Sequence, residues 1–133
     1  MHRPDHWIFA GTGLERGGTF GGKETIVCYE CDGCEFEMVE GLPVPTRRDG
    51  TPNTFTILAT AAAKWHPDDS LWYERFPADR VGGAVLGTYS RGGTVVTVGS
   101  TDWSHGLSGR DPVVERITRN VLNRLSAPAD ASR

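Results

Sequence analysis

The chain has 133 residues, 38% of them hydrophobic, and a net charge of −3, which allows one domain around a single core. An acidic balance without a basic run excludes nucleic acid as the main partner. No apolar segment reaches the roughly 18–20 residues of a membrane span, and no signal-peptide core opens the chain, so a cytoplasmic location is expected.

Seventeen glycines and eight prolines favour turns and strands over long helices. Residues 1–9 are polar except for Trp7-Ile8-Phe9, which fits a short strand. Residues 11–22 (GTGLERGGTFGG) are a glycine-rich loop. A dinucleotide fingerprint needs G-x-G-x-x-G opening a helix. Here the third glycine, Gly17, comes one place late, no helical pattern follows, and no Lys-Ser/Thr pair completes a P-loop. Residues 25–31 (TIVCYEC) and 35–39 (EFEMV) read as strands around Asp32-Gly33, a hairpin signal because both turn positions need positive φ. Cys31 and Cys34 would then flank the turn. Residues 41–53, with three prolines, read as a loop. Residues 54–62 read as a strand, and 64–80 as an irregular loop rich in aromatics.

The best-marked stretch is 82–125. Two β-branched runs, 84–89 and 94–99, flank Ser90-Arg91-Gly92-Gly93 and read as two strands around a glycine turn. Neither alternates cleanly, so both are expected to be buried on two faces. A loop over 100–106 leads to a helix over 112–125. Asp111 is its cap and Pro112 its first residue, with Val114, Ile117, Val121 and Leu125 on one face. Residues 1–125 are expected to form a single domain or domain fragment, and 126–133 a disordered tail.

Three groups could carry chemistry. Cys28, Cys31 and Cys34 have a spacing that thiolate metal sites use. Strand alternation would send Cys28 and Cys31 to opposite faces, which favours small buried cysteines over a site. An odd number of cysteines also builds no disulfide framework. Glu30 and Asp32, both ligand-binding candidates, share a strand face, and paired carboxylates can bind a hard metal or do acid–base work; the alternative is a solvated edge or hairpin tip. The loop after the last strand holds Asp102, Trp103, Ser104 and His105, where sheets with helices commonly place ligands. Asp102 and His105 are the catalytic candidates there, and Trp103 and Ser104 the ligand-binding ones. The bland alternatives are Asp102 capping a turn and Trp103 closing the core. There is no G-x-S-x-G elbow.

The ordered blocks HWIFAGTGL, TIVCYECDG, TFTILATA, AVLGTYSRGGTVVTVGSTDWSHGL and PVVERITRNVL resemble the C-terminal part of the large (β) subunit of N,N-dimethylformamidase and its relatives. The strand–GSTDW–helix ending is also similar to the terminus of class I glutamine-amidotransferase-like domains. The resemblance implies hydrolysis of an N-substituted formamide to amine and formate, with a mononuclear iron held by tyrosines and a glutamate. None of those ligands matches a position here, so the chain alone calls for no cofactor. The expected architecture is α+β: a mostly antiparallel or mixed sheet of five to six strands with one C-terminal amphipathic helix, like the end of a larger α/β domain. The expected partner is the missing N-terminal part of that domain or a larger subunit, with no nucleic acid and no membrane. The alternatives are a non-enzymatic structural or protein-binding domain, a truncated remnant, or a cysteine metal module.

Overall fold

The structure, a computed structural model, describes residues 1–64 and 81–127. Of the expected aromatic loop at 64–80, Lys64 is the last residue of a strand and 65–80 lie outside the described residues, as does the end of the expected tail, 128–133. The fold is α+β, and all five described strands pair antiparallel. They form two open sheets, β1 (Phe36–Val39) with β2 (Leu42–Pro45), and β3 (Thr56–Lys64), β4 (Val81–Ser90) and β5 (Thr94–Thr97) in that order. Two helices close the described chain, α1 (Trp103–Ser108) and α2 (Pro112–Leu125).

The β3–β5 sheet follows the sequence closely. Ala84 to Thr88 of β4 are buried without a break, as a central strand covered on both faces requires. β5 departs from expectation: its residues are exposed or half-buried, because it is the last strand of the sheet. Between Ile57 and Ala59 the register with β4 shifts, and Leu58 is accommodated in a bulge with no exposed surface.

The expected hairpin around Asp32-Gly33 does not form. The Asp32 N–H donates to the Gly99 carbonyl at 3.0 Å and its own carbonyl accepts from Val85 at 3.0 Å, so this backbone is committed elsewhere. Residues 25–31 make no strand beyond one isolated bridge, Cys31 to Ser100, and Cys31 and Cys34 flank no turn. The hairpin forms one step later. Glu40 and Gly41 both take positive φ, 50° and 77°, as a type I′ turn demands. Its second strand is β2, drawn from the expected 41–53 loop. Counting from the closing pair Val39–Leu42, Pro43 and Pro45 sit opposite Met38 and Phe36. These are the non-hydrogen-bonded positions, where a missing amide costs the ladder nothing.

The expected strand at the start of the chain is instead a single 3₁₀ turn, Trp7–Phe9, and the His6 ring accepts from the Ile8 amide at 3.4 Å. Helix α2 has the predicted bounds. The Asp111 carboxylate accepts from the Val113 and Val114 amides at 2.8 and 2.9 Å. Val114 and Ile117 are fully buried, but the apolar face ends at half-buried Val121, and Leu125 is 44% exposed. The helix is tied to the first turn by Asn120, whose amide donates to the carbonyls of Ile8 and Ala10. Arg124 lies 5.3 Å over the Trp7 ring. The core between them contains Ile8, Phe9, Leu58, Leu86 and Ile117.

Candidate functional site

The site begins where β5 ends. Gly99 has φ +67°, and a Cβ there would meet the Val85 carbonyl oxygen at 2.5 Å, an approach open only to glycine. The bend lays 99–101 across the outer edge of β4, where 30–32 pairs with it. Asp32 donates to Gly99, and Thr101 donates to the Glu30 carbonyl at 3.1 Å. Gly33 permits the same close packing, since a Cβ on it would run into the Gly83 carbonyl oxygen. Two segments distant in sequence thus share one short strand pairing.

Asp102 sits at the end of this pairing. Its Oδ2 accepts from the Tyr29 amide at 2.5 Å, and its Oδ1 lies 3.9 Å from His105 Nε2. Its side chain is 13% exposed against 54% for the His105 imidazole. Asp102 therefore does not cap α1 with its carboxylate; it clamps the 29–32 segment and faces His105. At 3.9 Å that contact is an ion pair when the imidazole is protonated, and too long for a hydrogen bond. The loop expected over 100–106 is in part helix, since α1 starts at Trp103. Ser104 and His105 are consecutive on α1, and side chains one residue apart on a helix do not face each other. Ser104 is exposed, and no Ser–His–Asp relay is assembled.

Trp103 is committed to packing. Its indole N–H donates to Thr118 Oγ1 at 2.9 Å, joining α1 to α2, and its ring meets Phe20 edge-on at 6.2 Å. Glu30 and Asp32 are both exposed, and Asp32 Oδ1 accepts from the Gly33 amide. Together with Tyr29, Cys31, Gly99 and Thr101 they line an open groove of about 430 Å³. The carboxylate pair and the Asp102 loop, two separate candidates in the sequence, are thus one surface.

The cysteines are all free, Cys28 exposed and Cys31 and Cys34 half-buried. Among the described residues, no three His, Cys, Asp or Glu side chains converge to hold a metal ion, so the three thiols do not form a site together. Burial raises the Cys31 thiol pKa, and the Asp102 carboxylate and Cys28 push it the same way. Burial raises Cys34 as well, with Asp49 and Asp32 adding and a Thr51 hydrogen bond opposing.

Asp49 was not singled out by the sequence. Its carboxylate accepts from the Thr51 hydroxyl and amide at 2.6 and 3.0 Å and from the Glu35 amide at 2.6 Å. These bonds, the Thr51 hydroxyl first, lower its pKa to about 2. The available signal was Asp49-Gly50-Thr51, an aspartate two residues ahead of a hydroxyl.

The geometry defines a two-sheet α+β domain with an open groove that ends at Thr101 and a carboxylate–imidazole pair, Asp102 and His105, beside it. A family model described as N,N-dimethylformamidase beta subunit-like, C-terminal, matches residues 1–118, and the chain belongs to that family. No match is found among the curated proteins or the solved structures.

Proposed function

We propose that the chain is the C-terminal portion of an amide hydrolase resembling N,N-dimethylformamidase, cleaving the C–N bond of an N-substituted formamide, and that it walls the active site without completing it. The observation that carries this is the family match over residues 1–118. The groove supports it. In this reading Asp102 orients the exposed His105 imidazole, which moves a proton to or from the reacting amide. Glu30, Asp32 and Ser104 flank the substrate, whereas Trp103, expected to join them, packs between α1, α2 and Phe20.

The mononuclear iron that the resemblance implies does not fit these residues. Tyr29 is 84% exposed and its amide, not its ring, is engaged by Asp102. No three acidic, histidine or cysteine side chains converge among the described residues. The chemistry of that metal belongs to the rest of the assembly, which is the partner we propose for this chain.

Co-expression with the remainder of the subunit, followed by assay of formate release from N,N-dimethylformamide, tests the reading. No turnover is expected from this chain alone and measurable turnover from the assembly. His105→Ala in the assembly is expected to lower kcat by about 10²-fold. Failure of the two parts to bind, or an inert assembly, overturns it. A second reading, a non-enzymatic protein-binding domain, is favoured by the exposure of Met38 and Val39 on the hairpin, 56% and 45%. Turnover of a simple formamide by the pure chain would exclude that reading.

A further inference from the structure

A second concave site lies behind Trp103, separate from the Asp102 groove. The register sets Ala61 opposite Ala84 and Ala59 opposite Leu86, so three alanine side chains share one face of the β3–β4 ladder. Strand faces ordinarily carry β-branched or aromatic side chains that fill the space above them. Here the alanines leave it open, and Phe20, Ile26 and Trp103 complete a pocket of about 150 Å³. The pocket is partly open to solvent, and its apolar lining forfeits there the contacts that packed side chains would otherwise make.

The chemistry of the lining selects the occupant. Among the described residues no Asp, Glu, Lys, Arg or His side chain borders the pocket, and the ammonium of Met1, which also lines it, is held by the Gly18 carbonyl at 3.0 Å, so a charged ligand would be desolvated without compensation. The Thr60 hydroxyl at its wall is already hydrogen-bonded to His2 Nε2 at 2.8 Å. Ordered water needs two to four polar partners, whereas a dry apolar cavity of about this volume holds benzene or xenon. The ring contacts of Phe20 with Phe9 and with Trp103, 6.3 and 6.2 Å between centroids, stiffen the roof. Access lies between 18–20 and 26–27, where Thr19 is exposed and Phe20 and Val27 are half-buried. We propose that this pocket is a binding site for a small, neutral, apolar molecule of about benzene's size. It stands independently of the amide-hydrolase reading, because neither Asp102 nor His105 borders it.

Benzene titrated into the 133-residue chain, followed by ¹H–¹⁵N correlation spectra and thermal melting, tests the proposal. Saturable shifts are expected at the Trp103 indole and at the Ala59, Ala61 and Ala84 amides, with a Tm that rises with benzene concentration. Ala84→Leu, which fills the floor, should abolish the saturable shifts. Ala61→Val, at a half-buried position that tolerates a larger side chain, should weaken binding by about tenfold. Benzylammonium, of similar shape but charged, should bind at least about 100-fold more weakly. Shifts that stay linear up to the solubility of benzene would overturn the site. So would saturable binding that survives Ala61→Val unchanged.

Discussion

Gly99 has its Cβ direction occupied by the Val85 backbone at 2.5 and 2.6 Å and by the Asp32 carbonyl at 2.8 Å, at a φ of +67°. Gly99→Ala must therefore strain its own backbone and push apart the 30–32 pairing. A loss of about 2–4 kcal/mol in urea unfolding is expected, together with loss of the Tyr29 amide signal's protection from exchange. Asp49 sets a pH dependence at the same scale. Its folded pKa is lowered from 3.8 to about 2 by the Thr51 and Glu35 hydrogen bonds. A depressed carboxyl favours the folded form when ionised, so its contribution is complete above about pH 4 and disappears as pH falls toward 2. A ¹³C titration of the Asp49 carboxyl should show the low midpoint, and Asp49→Asn should remove that part of the acid transition. The thiols differ in the same way: raised pKa values leave Cys31 and Cys34 protonated at neutral pH and slow to alkylate. Mass spectrometry after brief iodoacetamide treatment should find label on exposed Cys28 first.

At the scale of elements, local chemistry decided some outcomes and was outvoted in others. Helix α2 was legible because its signals are all local. Asp111 caps, Pro112 needs no amide partner, and Val114 and Ile117 recur at helical spacing. Asp111→Ala removes acceptors for two helix amides, and Asp111 Oδ2 also accepts from the Gly21 amide at 3.3 Å. Destabilisation by about 1–2 kcal/mol in chemical denaturation is expected. The Asp32-Gly33 turn was the opposite case. Its sequence suits a hairpin, but Asp32 is paired with Gly99 and Val85, partners that no window around residue 32 contains. The turn that does form uses Glu40 at φ 50°, a residue with no special tolerance for that conformation. Glu40→Asn should stabilise the hairpin by about 0.5–1 kcal/mol, read as a higher denaturation midpoint with an unchanged m-value.

For the whole molecule, the fold class was legible and the site only in halves. Glycine and proline content, six strand-like runs and one amphipathic helix point to α+β. The division into two sheets depends on pairings that no local pattern encodes. The same holds for the groove: Asp102 and the 29–32 segment each carry suitable chemistry, but the bond joining them spans 73 residues. Trp103 was visible as an aromatic in a loop, whereas its bond to Thr118 exists only once α1 and α2 are packed. The arrangement of sheets has a further consequence. β5 ends the three-stranded sheet, is only four residues long, and leaves Val95 37% exposed. A strand edge with an exposed branched side chain invites pairing with another chain unless a charge or a covering element blocks it. Concentration-dependent self-association is therefore expected for the chain on its own. Val95→Lys should suppress it in sedimentation velocity with no change in far-UV circular dichroism, because the edge is blunted while the ladder to β4 stays intact. If the rest of the subunit covers this edge, its addition should suppress association of the unaltered chain equally well, and Val95→Lys should weaken that complex.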